Sequence, residues 1–254
     1  MSDENVIKND EYKMPLPARI GEGVFCLVYL IFVISMAFLF RDKAREIINV
    51  INNSDLVDEM LRLQGLRYSF GFGLAVLLAL GDAFHLVPRI IVAFKGDMNR
   101  KYFFLGLGNL ISSITMTLYY NVLIGAGDSL EYSPSQYNYG IEKAILILSI
   151  IRIVVLLMPM NKWYTKEGDK KWAIIRNAIF SVIGILTVIG YINVIFHADN
   201  YSVAMYVNIL IAVILSFLFY LPVAIYGREK PKLGMLMIPK TLCYMWMLLV
   251  LYMW

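Results

Sequence analysis

The sequence predicts an all-α integral membrane protein, a single bundle of seven transmembrane helices. Three observations carry this. Apolar residues make up 59% of the chain against 17% charged, and mean hydropathy is +0.66, far from the composition of a water-soluble domain. Seven apolar stretches follow one another, each near the ~20 residues that a helix needs to cross ~30 Å of hydrocarbon. The connections between them alternate between basic and free of Lys and Arg. The stretches use well over half of the 254 residues, so one bundle accounts for the chain and leaves no room for a separate soluble domain.

The first span, about 20–40, follows the acidic start Met1-Ser-Asp-Glu-Asn-Val, which has no basic n-region or small-residue cleavage site and so reads as no signal peptide. The connection 41–68 is predicted as a long loop of nearly balanced charge. Within it Leu56, Met60 and Leu63 recur at i, i+4, i+7 between a candidate N-cap, Ser54, and Gly65, which predicts a short amphipathic helix lying on the membrane or capping the bundle. The second span, 69–94, carries Asp82, His85 and Arg89 on one face. The third, 102–126, carries Ser112, Ser113, Thr115 and Thr117, and the fourth, 141–160, carries Arg152. The fifth and sixth cover 173–196 and 203–226, the sixth with Phe217, Phe219, Tyr220 and Pro222. The seventh, 234–254, holds Lys240 and Trp246. Cys26 and Cys243 fall inside spans and read as small apolar residues, not as a disulfide.

Connections 94–102, 161–172 and 227–233 hold Lys95, Arg100, Lys101, Lys162, Lys166, Lys170, Lys171, Arg228, Lys230 and Lys232, whereas 127–140 and 197–202 hold neither Lys nor Arg. By the positive-inside rule the N-terminus is inside and the C-terminus outside, in the cell membrane.

Lys240 is the most informative residue. A lysine near the bilayer centre costs about 2.5–3.5 kcal/mol on insertion scales, so it is expected to be neutralised, paired or covalently used. Arg152 poses the same demand, and a pairing with Asp82 is one expected answer; an Asp82–His85 pair is another. At ~1.5 Å per residue from the basic ends, Lys240 lies about 12 Å deep, His85 about 15 Å and Asp82 about 20 Å. The hydroxyls of the third span serve a ligand or ordinary interhelical bonds, and the aromatic residues of spans six and seven wall a slot or simply pack. His197, beside Asp199, reads as a solvated residue. No HExxH, CxxC or phosphate-cradling glycine motif is present.

Several fragments resemble one family. The first span opens Arg19-Ile-Gly-Glu-Gly23-Val-Phe-Cys26-Leu27, the second contains Leu80-Gly-Asp82-Ala-Phe-His85, and the third Gly108-Asn-Leu-Ile-Ser112-Ser113-Ile-Thr-Met116. The connection Trp163-Tyr-Thr165-Lys-Glu-Gly168-Asp169 and the seventh-span Pro239-Lys240-Thr241-Leu242 complete the set. In order and spacing they resemble the heliorhodopsins, inverted seven-helix opsin-like proteins. The resemblance implies retinal held by Lys240 as a Schiff base, in a slot involving Asp82, His85, Ser112, Ser113, Met116, Phe217, Tyr220 and Trp246. It also implies a homodimer and a cytoplasmic signalling partner. Three departures stand out: Gly108 replaces the family's counterion glutamate, Cys26 its first-span histidine, and Leu236 the serine one turn before the lysine.

The leading expectation is therefore a photoreceptor or sensor that signals without pumping, since a pump needs a relay of carboxylates and the spans hold almost none besides Asp82. It is not expected to be an enzyme, and its surroundings are lipid, not nucleic acid. A retinal-free binder of a lipid or other apolar ligand is the alternative. A membrane-embedded hydrolase using Asp82, His85 and a third-span serine ranks behind both, because only His85 and His197 are available for the several histidines that such a zinc site gathers.

Overall fold

The computed structural model describes residues 16–53, 59–95, 101–130, 138–165, 169–198, 203–226 and 231–254. Among them there are seven α-helices and no strand: α1 Leu16–Asn52, α2 Glu59–Lys95, α3 Lys101–Ser129, α4 Tyr139–Leu157, α5 Lys170–His197, α6 Val203–Tyr226 and α7 Met237–Met253. Short 3-10 turns, Pro159–Asn161 and Pro231–Leu236, follow α4 and lead into α7.

Six of these helices are long and apolar enough to cross a membrane. The exception is α4, whose 19 residues include Glu142, Lys143 and Arg152. Its outward face is nonetheless apolar, with Ile147, Ile150 and Val154 exposed, while Arg152 and Ser149 point inward. That pattern recurs around the molecule. Ile31, Phe38, Leu80, Ile185, Leu218 and Leu242 face outward, whereas Thr117, Thr187 and Ser216 are wholly buried. Apolar outside and polar inside is the reverse of a soluble protein, and it marks a surface solvated by lipid.

Each helix packs against the next in the chain, and α7 returns to α1 and α2, closing a ring. α3 also packs against α5, which draws it toward the middle. α2 and α3 approach closely. A Cβ on Gly81 would overlap Thr115 Oγ1, and one on Gly108 would overlap the Phe84 carbonyl oxygen and stand 2.9 Å from His85 Cα. Only hydrogen at these two positions lets the backbones meet, the small-residue packing that membrane helices favour.

The long loop expected over 41–68 is mostly helix. α1 runs 37 residues to Asn52 and α2 starts at Glu59, also for 37 residues, each about 55 Å long. Both extend well beyond a ~30 Å hydrocarbon layer. The extension is held by its own seam: Phe40, Ala44 and Ile47 are buried at i, i+4, i+7, and Gly65 lies against Ile47, whose Cγ2 would be 3.2 Å from a Cβ there. Gly65 thus serves as a contact inside α2 and does not end a short helix. Of the predicted amphipathic helix, Met60 is exposed, while Ser54 and Leu56 lie outside the described residues.

Candidate functional site around Lys240

Lys240 sits in the first turn of α7, half-buried, just after the 3-10 turn. Its ammonium lies 4.7 Å from the centroid of the Tyr220 ring on α6 and 5.6 Å from that of Tyr244 on α7. Ring faces attract a cation electrostatically, by about 2 kcal/mol or more where water is excluded. Among the described residues no carboxylate comes within 4.0 Å of Nζ. Asp82 is nonetheless near enough for the two charges to interact.

Asp82 accepts a 2.5 Å hydrogen bond at Oδ2 from the Tyr29 hydroxyl of α1. A short O–H donor to a carboxylate is among the stronger hydrogen bonds and holds the anion in place. This corrects the expected Asp82–Arg152 or Asp82–His85 pairing. The sequence does not single out Tyr29, because a tyrosine in an apolar stretch reads as packing. The available signal was its spacing: Glu22, Cys26 and Tyr29 fall at i, i+4, i+7 on α1 and face the Asp82, His85, Arg89 stripe on α2. Arg89 Nη1 and Glu22 Oε1 are 3.7 Å apart at the other end of that seam. His85, between them, lies beside Asn109, and its Nδ1 is buried without a hydrogen-bond partner.

Arg152 finds neutral partners. Its Nε donates to the Arg176 carbonyl at 3.2 Å, and Nη1 donates to the Ser113 carbonyl at 3.0 Å and to Thr117 Oγ1. The guanidinium lies 4.0 Å from the centroid of the Phe180 ring. It thereby ties α4 to α3 and α5 at 2% exposure. One layer toward the basic end, Asn161 donates to the Val155, Leu156 and Met158 carbonyls and accepts from Arg176 Nη1 at 2.9 Å. That closes the otherwise unpaired end of α4.

The other predicted residues divide. Phe217 and Tyr220 belong to an aromatic cluster with Tyr120 and Phe180, with ring centroids 5.3–6.3 Å apart. The Tyr220 hydroxyl donates to Asn177 Oδ1 at 2.8 Å. Met116 is buried in the core and Trp246 packs against it. The Ser113 hydroxyl is spent on the Asn109 carbonyl at 2.7 Å, and Ser112 lies in the close α2–α3 contact opposite Gly81. His197 is exposed, its Nδ1 2.8 Å from the Asn193 carbonyl oxygen. It sits at the opposite end of the bundle from His85, at the far end of α5. Among the described residues no three His, Cys, Asp or Glu side chains gather as a metal site.

These features define a multi-pass helical membrane protein with a cationic, aromatic interior near the basic end. Compared with known proteins, the chain matches no family model, no curated sequence and no solved structure.

Proposed function

We propose that this protein is an opsin-like, heliorhodopsin-like sensor that holds retinal on Lys240 and signals by conformational change, without pumping ions. The observation that carries the reading is the juxtaposition at Lys240: an amine inside the ring on the last helix, ring faces of Tyr220 and Tyr244 beside it, and the charge of Asp82 within electrostatic reach. This set fits retinal, with an amine to bind its aldehyde, an anion to balance the resulting positive charge, and aromatic walls for the polyene. Retinal bound there as a Schiff base supplies absorption of light. Gly108 has no space for the family's glutamate, so the balancing anion in this chain is Asp82, oriented by Tyr29. The closed ring, with α7 against α1 and α2, supports an opsin-like topology. The alternation of basic and charge-free connections supports an N-inside, C-outside orientation in the cell membrane. A homodimer and a cytoplasmic partner remain part of the proposal on resemblance alone.

The test is to add all-trans retinal to purified protein and record the spectrum. A visible band is expected, shifted to the near ultraviolet in Asp82→Asn, and borohydride followed by mass spectrometry should find a retinyl adduct on Lys240 and none in Lys240→Ala. No adduct at any pH would overturn retinal binding.

A further inference from the structure

We infer that Lys240, when it carries no retinal, is the head-group site for an apolar monocarboxylate, a long-chain fatty acid or similar amphiphile, and this holds whether or not the protein can also bind retinal. Lys240 and Arg152 flank one aromatic cluster: the ammonium lies over Tyr220, the guanidinium over Phe180, and the two rings meet edge-to-face at 5.5 Å. Among the described residues neither cation has a carboxylate within 4.0 Å. Asp82 is the nearby anion, and its Oδ2 is occupied by Tyr29. Two cations against one carboxylate leave an uncompensated positive charge inside a protein surrounded by lipid, which a monoanion would neutralise.

The two cations are not equivalent. Arg152 is sealed, its donors directed to the Arg176 and Ser113 carbonyls and Thr117. Lys240 is half-buried and donates no hydrogen bond to the described residues, so up to three N–H donors remain for a ligand. A carboxylate suits it, because one charge balances the excess. The ligand's remainder is set by the surroundings: Phe217 and Tyr220 are half-buried and present ring surface, the Tyr220 hydroxyl is spent on Asn177, Tyr120 and Tyr244 are buried in the core behind them, and the outer face of the bundle is apolar. An amphiphile dissolved in the bilayer meets both requirements, and a small hydrated anion meets only the first.

The probe is cis-parinaric acid, whose fluorescence rises on leaving water, titrated onto the retinal-free protein in nanodiscs. Saturable binding is expected, displaced by oleate and at least tenfold less well by oleyl alcohol. Lys240→Met should weaken binding tenfold or more. Lys240→Arg, which cannot form a retinyl adduct, should stay within about threefold of the unaltered protein. Equal displacement by oleate and oleyl alcohol on the unaltered protein would overturn the inference, even if Lys240→Met failed to fold. So would unchanged binding in a folded Lys240→Met. Absence of a retinyl adduct bears on the retinal reading and leaves this result untouched.

Discussion

At the scale of single residues, Gly108 decides more than any charged group. The sequence shows that a carboxylate is missing there, and the structure supplies the reason: the α2 backbone at Phe84 and His85 occupies the space that a side chain needs. Restoring a glutamate is therefore expected to fail. Gly108→Glu should cost at least the 1–3 kcal/mol typical of overpacking, read as a lower thermal midpoint, and should create no new visible band with retinal. Arg152 and Asp82 give a second prediction. Both were legible in the sequence as expensive charges, but their partners were not, because a helix sequence does not say which neighbour a face meets. The structure directs Arg152 to Ser113, Thr117 and Arg176, and Asp82 to Tyr29. Arg152→Leu should then destabilise by about 1–3 kcal/mol, since it strips several buried bonds at once. Combined with Asp82→Asn, it should be additive within ~0.5 kcal/mol, whereas a direct pair would deviate by more. Denaturation of the four proteins in one detergent decides between these outcomes.

At the scale of elements, the helices that the sequence places best are those bounded by sharp changes in polarity. α6 begins and ends where the apolar run does, and α5 is recovered to within a few residues. α1 and α2 run past their predicted spans because charged residues such as Arg41, Asp42, Arg45 and Glu46 read as loop. Charge on an outward face does not end a helix when the inward face continues. Phe40, Ala44 and Ile47 keep the heptad-like spacing past the last apolar residue of the span, and that was the unread signal. The extended hairpin makes a sharp geometric claim. A Cβ on residue 65 would lie 4.0 Å from the Cβ of Ile47, within the range of a disulfide. Ile47→Cys with Gly65→Cys should therefore cross-link under mild oxidation, seen as a mobility shift reversed by reductant. A flexible loop over 41–68 would give slow, heterogeneous products instead.

At the scale of the whole molecule, polarity and ring closure act together. Polar groups are buried in the bundle because lipid offers them no hydrogen bonds, and the aromatic rings and Arg152 fill the space between helices that α3 brings close to α5. This inside-out arrangement makes the chain legible as a membrane protein, but it is symmetric with respect to the two sides of the bilayer. Orientation must come from the connections. The ends of the bundle joined by 94–102, 161–172 and 227–233 carry ten Lys and Arg, and the connections 127–140 and 197–202 carry none. Translocating those cations works against the positive-inside bias, so the basic end should stay in the cytoplasm. The charged α1–α2 extension would then project outside, where its near balance of acidic and basic residues gives little opposing signal. Both native cysteines are buried, so an introduced cysteine can be labelled on a low background. In intact cells a membrane-impermeant maleimide should label a cysteine placed at position 131 and spare one at position 168 until the membrane is opened. The reverse pattern would invert the molecule, put Lys240 near the outer face, and remove the orientation on which the heliorhodopsin-like reading depends.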